Sequence, residues 1–257
     1  MNMFVVAVAA ALLFVCMLAA QEGGRRLAAR HAARGGGDSD GSSAIDAAVF
    51  ALLGLLIAFT FSGAAARFDE RRQLITEETN DIGTAYLRID LVPAEYQPAL
   101  RATFRKYLDA RIAAYQKIPD MPAVEAELNR ANALQGEIWK QAVTAAHAPG
   151  VPASTAILLM PSLNEMFDIT TTRYMATRMH PPYVIFGLLF ALALAAALLA
   201  GYGMGGESKR PWLHAIVFAA VMSVSVYVIL DLEFPRLGLI RVDDFDQALI
   251  ALRATMK

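Results

Sequence analysis

Four long, predominantly apolar stretches free of Asp, Glu, Lys and Arg stand out from a more mixed chain: Met3 to Ala20, Ala47 to Ala66, Tyr183 to Gly206 and Pro211 to Leu230. A helix rises about 1.5 Å per residue, so crossing roughly 30 Å of hydrocarbon takes about 20 apolar residues. A helix also satisfies its own backbone polar groups, which lipid cannot do for it. One such run could be the buried core helix of a soluble domain; four in a single 257-residue chain read as four transmembrane helices.

Between the second and third runs the pattern changes. Residues 67 to 182 mix acidic and basic side chains and break at prolines: Pro93, the Pro119/Pro122 pair, the Pro149 to Pro152 turn and Pro181-Pro182. From Glu95 to about Gln116, the residues Tyr96, Leu100, Phe104, Tyr107, Leu108, Ile112 and Tyr115 recur at helical spacing and form one apolar stripe. The stripe packs inside the domain or against another subunit, with an aromatic cofactor box as the remote alternative. Pro122 to about His147 and Ser154 to about His180 also read as helices, and no segment alternates as a strand would. The predicted fold class is therefore an all-α membrane protein. Spans one and two with a Gly/Ser-rich connector occupy 1–66, a helical water-facing domain is inserted over 67–182, spans three and four follow over 183–230, and a C-terminal tail covers 231–257. The connector, Gly35 to Ser43, is rich in glycine but has neither phosphate-loop spacing nor a following lysine.

The first run also fits a secretory signal, with Leu18-Ala19-Ala20-Gln21 as a passable cleavage site. Its start lacks positive charge and the arginines come after it, which favours an uncleaved anchor. Val15-Cys16 lacks the small residue that a lipoprotein site needs before its cysteine. Charged residues make up 18% of the chain, against about 25% in soluble domains, and the deficit lies in the four runs. A net charge of −1 gives no basic face for nucleic acid, and the single Cys16 can form no intrachain disulfide. Orientation is balanced. One side carries Arg25, Arg26, Arg30, Arg34, Lys209 and Arg210; the other carries Arg67, Arg71, Arg72, Arg173, Arg178, Arg236 and Arg241. The arginines after span one favour an outside N-terminus if the first span dominates.

Catalytic or metal chemistry finds no foothold. His31, His147, His180 and His214 are scattered, no histidine follows a glutamate by three residues, and there is no nucleophile elbow, paired cysteine or HExxH. Without a convergent acid/base set the expectation is no enzyme, no cofactor and no metal.

The most informative segment is the end of span two. Gly54-Leu55-Leu56-Ile57-Ala58-Phe59-Thr60-Phe61-Ser62-Gly63 runs without a breaker into Arg67-Phe68-Asp69-Glu70-Arg71-Arg72. At this junction the chain resembles the bestrophin channels, which carry F-R-x-N-x-x-x-x-R-W-x-E-x-R. Phe59, Arg67, Glu70 and Arg72 fall at the matching spacing, with Phe68 in place of the tryptophan. The wider stretch over 54–88 and the tail from Leu230-Asp231-Leu232-Glu233-Phe234-Pro235 through Gly238-Leu239-Ile240-Arg241-Val242 are similar to the bestrophin-like family of bacterial membrane proteins.

The resemblance implies a homo-oligomer, pentameric in bestrophins, in a bacterial inner membrane, with span two lining a central path for permeant inorganic ions, anions first. The family's hydrophobic neck, carried over by the Phe59 and Arg67 register, falls on Ala51, Leu55 and Phe59. Residues at i, i+4 and i+8 share a helix face, and stacked apolar rings gate ions by dewetting. Ser62, Arg67, Phe68, Glu70 and Arg72 become the pore-helix exit and subunit contacts. The alternative for Leu55 and Phe59 is ordinary packing between helices. The chain departs from the bestrophin pattern at Thr60 and Ser62, which replace an arginine and an asparagine, and Ala51 is small for a neck residue. Bestrophins keep the large domain in the cytoplasm, opposite to what the arginines after span one favour. Asp243, Asp244 and Asp246 stand where eukaryotic bestrophins bind calcium; the plainer reading is a helix cap ahead of Ala248 to Leu252. The rival to a channel is a non-conducting membrane scaffold or sensor whose helical domain binds a partner protein.

Overall fold

A computed structural model describes residues 3–34, 40–206, 212–236 and 238–256. Most of the Gly/Ser connector, together with Lys209, Arg210 and Pro211, lies outside the described residues. Among the described residues every regular element is helical: α1 (Met3–Ala33), α2 (Asp40–Leu87), α3 (Gln97–Gln116), α4 (Met121–Ala146), α5 (Ala153–Arg178), α6 (Tyr183–Gly203), α7 (Trp212–Glu233) and α8 (Asp243–Thr255). Short 3-10 turns, Arg88–Leu91 and Met204–Gly206, follow α2 and α6. Four helical segments are long and apolar enough to cross a membrane, within α1, α2, α6 and α7.

The prolines explain most of the interruptions. Pro93, Pro119, Pro149, Pro152, Pro181 and Pro182 fall between helices, while Pro98 and Pro122 lie in first turns, where the missing N–H costs nothing. Asp120 caps α4, its Oδ1 accepting from the Ala123 amide at 3.2 Å. Pro161 lies inside α5, on its exposed side. No proline or exposed glycine pair follows Ala47 for forty residues, and α2 runs unbroken for 48 residues, about 72 Å at 1.5 Å per residue.

The chain divides into two compact units. The first comprises Met1–Phe68 and His180–Ile240. Its core is Leu13 and Met17 of α1, Leu53 and Ala64 of α2, Ala193 and Ala197 of α6, and Ala219 and Val226 of α7. Small residues bring α1 and α6 into backbone contact. A Cβ added at Gly201 would lie 2.0 Å from the Gln21 carbonyl oxygen, and one at Gly24 would lie 2.0 Å from that of Leu198. Lipid supplies no hydrophobic drive to push helices together, so close approach and dispersion hold such a pair.

The second unit comprises Asp69–Met179 and Arg241–Lys257. Leu100, Phe104, Tyr107 and Leu108 of α3 are fully buried against Ile138 of α4 and Leu159, Leu163 and Met166 of α5. The aromatic stripe of α3 is thus core packing of this unit, with Tyr96, Ile112 and Tyr115 at its edge. Residues 241–257 pack with this unit through Leu249 and an Arg253–Asp109 ion pair at 2.7 Å. Asp243, Asp244 and Asp246 occupy the first turn of α8 itself, where carboxylates complement the helix dipole; the capping position is Val242, which makes no side-chain cap.

Candidate functional site

The membrane part of α2 has two faces. Leu53, Thr60 and Ala64 are buried, with Ile57 and Phe68 partly so against the first unit's core. At about 100° per residue these five lie within one narrow sector of the helix. Thr60 folds its hydroxyl back onto the carbonyls of Leu56 and Ile57, at 2.8 and 3.0 Å, so it brings no unsatisfied group into the apolar core. Ala51, Leu55, Phe59, Ser62 and Ala66 fall on the opposite side, and all five are exposed in the single chain, Leu55 by 52% and Phe59 by 67%. Only 6% of the apolar window of this helix is buried, against 28% to 33% in the other three spans.

At the end of that segment Arg67 turns toward the chain's own α7. Its Nε donates to Glu233 Oε1 at 2.9 Å and its Nη2 to Oε2 at 2.8 Å. The Glu233 side chain has no exposed surface, and His180 Nδ1 lies 3.1 Å from the same Oε1. The His180 ring stacks 4.6 Å from Phe234. A buried carboxylate is costly unless paired and fully hydrogen-bonded, and this two-point guanidinium geometry is the strongest form of pairing.

Two residues earlier, buried Asp231 organises the chain after α7. Its carboxylate accepts from the Leu239 amide at 3.1 and 3.0 Å and from the Ile240 amide at 2.9 Å. Gly238 is required there, because a Cβ would fall 1.3 Å from Asp231 Oδ1.

Phe68 is partly buried against the first unit's core and Glu70 is exposed. Arg72 pairs with Asp69 at 3.0 Å and covers the Phe245 ring at 4.2 Å. Buried Arg71 donates to the carbonyls of Ala176 and Met179 at 3.2 and 3.1 Å, satisfying the open end of α5.

The second unit holds a charge cluster of its own. Glu78 Oε1 accepts from Arg111 Nε at 2.6 Å, and its Oε2 accepts from Arg173. Arg173 lies 3.6 Å from Asp246 and covers the Tyr115 ring at 4.2 Å, while Arg111 Nη2 donates to the Tyr115 hydroxyl at 2.6 Å. Two carboxylates balance two guanidiniums. Burial alone would raise the Glu78 carboxyl; the Arg111 and Arg173 guanidiniums outweigh it and hold the group below its ordinary value. Burial also pushes the Tyr107 hydroxyl well above the usual phenol range.

The structure therefore brings Ala51, Leu55, Phe59 and Ser62 onto one exposed stripe and commits Arg67 to a buried pair. Glu78, Glu233, Asp231 and His180 are residues to which sequence reasoning gave no role. A signal was present for Asp231 and Glu233: ionisable groups adjoining an apolar span need a partner, and Arg67 adjoins another.

A family model described as a Bestrophin-like domain matches residues 11–245. The chain belongs to the bestrophin-like family. Solved structures agree with the bestrophin-like fold. A crystal structure of a bacterial bestrophin homolog from Klebsiella pneumoniae, a point variant, superposes with a TM-score of 0.70 at 12% identity, covering 97% of this chain and 98% of that one. A second variant of the same homolog gives 0.69 at 12% identity, with 95% and 98% covered. A crystal structure described as a membrane protein gives 0.64 at 13% identity, with 94% and 98% covered. At these identities the likeness is one of fold. No curated protein matches the chain. With four apolar helices and this family, the bestrophin-like chain is an all-helical integral membrane protein.

Proposed function

We propose that the chain is the subunit of an oligomeric ion channel, a pentamer in a bacterial inner membrane, with α2 lining the ion path and Ala51, Leu55 and Phe59 forming an apolar neck. The observation that carries this reading is the two-faced α2. One stripe is satisfied by the chain's own core; the opposite stripe, with Leu55 and Phe59 at its centre, has no cover in the single chain. Copies arranged about an axis would turn these stripes toward one another and stack three apolar rings, each one helical turn apart. Such rings control ions by excluding water. Ser62 and Glu70, both exposed, follow at the exit and meet neighbouring subunits. Arg67 holds that exit in place through Glu233, and Arg72 and Phe68 brace it from within the subunit.

Anions are the proposed permeant ions by resemblance to the family, since apolar rings carry no charge sign of their own. The test is the purified protein by electron microscopy, followed by ion flux in liposomes. A ring with α2 around an axial cavity, and flux that rises in Phe59→Ala, supports a channel. An oligomer without an axial cavity, or one that carries no flux in either form, supports a scaffold whose helical unit binds a partner protein.

A further inference from the structure

A small cleft opens where three spans reach their polar ends. It lies between Leu18, Gln21, Glu22 and Arg25 of α1, Met204, and Trp212 and Ala215 of α7. Gln21 is 3% exposed. Its Nε2 donates to the Ala215 carbonyl at 3.2 Å, which fixes the amide's orientation, because only the nitrogen can donate there. Its Oε1 is buried and accepts from nothing. A buried acceptor left open is destabilising, so a donor is wanted at this point.

The Gln21 residue is held firmly. Its carbonyl oxygen meets α6 where even a methyl group at Gly201 would collide, so the amide is presented by rigid backbone. Next to it Glu22 is engaged by Arg25 at 3.0 Å and Arg26 at 2.8 Å, which leaves that trio with one net positive charge. Arg30 and Arg34 continue the basic run along the same chain segment. Trp212 is half exposed at the cleft, as tryptophan is at membrane interfaces.

The open cleft holds about 40 Å³. One water takes roughly 10–15 Å³ by the same measure, so the cleft admits a tip of about three heavy atoms. The walls are mostly apolar apart from Gln21, Glu22 and Arg25, so they disfavour a further charged group at the tip and accept a neutral hydroxyl. We infer that the cleft binds the terminal hydroxyl of an anionic glycerol-phosphate lipid headgroup, as in phosphatidylglycerol, with the hydroxyl donating to Gln21 Oε1 and the phosphate resting on Arg25 and Arg26. This site does not depend on whether the protein conducts.

The test titrates the full chain in detergent with short-chain phosphatidylglycerol, phosphatidic acid and phosphatidylcholine, and reads relative affinities by native mass spectrometry. Phosphatidylglycerol is expected to bind about threefold to tenfold tighter than phosphatidic acid, the worth of one net hydrogen bond. Both should exceed phosphatidylcholine. Gln21→Met should bring phosphatidylglycerol down to the phosphatidic acid level, and Arg25→Gln with Arg26→Gln should weaken both anionic lipids. Equal binding of the two anionic lipids by the unmodified protein overturns the hydroxyl site, whether or not Gln21→Met folds. Displacement of the lipid by soluble glycerol 3-phosphate at matched concentration overturns the assignment to a lipid.

Discussion

The Arg67 guanidinium meets the fully buried Glu233 carboxylate at two points, 2.9 and 2.8 Å, across 166 residues of sequence. The pair ties the exit of span two to the end of span four. Removing only the cation takes the two-point partner from a buried carboxylate, so Arg67→Met should cost about 3–5 kcal/mol. Glu233→Gln leaves the partly exposed arginine able to find water and should cost less. Replacing both by apolar residues should recover much of the loss. Thermal unfolding of all three variants in detergent checks the order.

The neck residues make a separate prediction. Phe59→Ala and Leu55→Asn remove or wet an apolar ring and should raise liposome ion flux severalfold while leaving the unfolding midpoint close to that of the parent, since both side chains are exposed in the single chain. Flux equal to the parent's from a correctly assembled oligomer would rule out a neck at these positions.

Acid should loosen the second unit by way of Glu78. Its carboxyl titrates near 4.5 when unfolded and lower when folded beside Arg111 and Arg173. A depressed carboxylate contributes stability that is full above the unfolded value and is lost as pH falls through the folded value. Unfolding midpoints should therefore drop below about pH 4.5, and Glu78→Gln should flatten that drop while lowering the midpoint at neutral pH. A midpoint unchanged at neutral pH in Glu78→Gln would contradict the buried cluster.

Gly201 should tolerate no side chain. The added Cβ would stand 2.0 Å from a backbone oxygen of Gln21, and backbone cannot step aside as a flexible side chain can. Gly201→Leu is expected to force α1 and α6 apart and reduce recovery of folded protein, whereas Gly54→Ala, with open space around it, should be neutral. Yield and monodispersity after detergent extraction report both.

The spans and the uninterrupted α2 were legible in the sequence because bilayer thickness and the absence of a helix breaker are local signals. The α3 stripe was legible too, being periodic, although only the structure decided that it packs within its own unit. What could not be read were partnerships across long separations. His180 is one of four scattered histidines in the sequence and lies 3.1 Å from Glu233; Glu78 has no visible partner in the sequence and is enclosed by two arginines from α3 and α5. Nothing in a linear pattern says which charge meets which. Asp231 lies within a stretch similar to the family, yet its service as an acceptor for two later amides depends on a chain reversal that the sequence marks by Pro235 and Gly238 without naming its partner.

Because the two stripes of α2 lie on opposite sides of one helix, they can change independently. Substitutions along Leu53, Ile57, Thr60 and Ala64 will be felt when the single chain folds. Those along Ala51, Leu55, Phe59 and Ser62 will be felt only by whatever the finished surface meets. Selection could therefore retune the width and wetness of the exposed stripe residue by residue without reopening the question of whether the chain folds, which gives this helix a means of diversifying among relatives that share the scaffold.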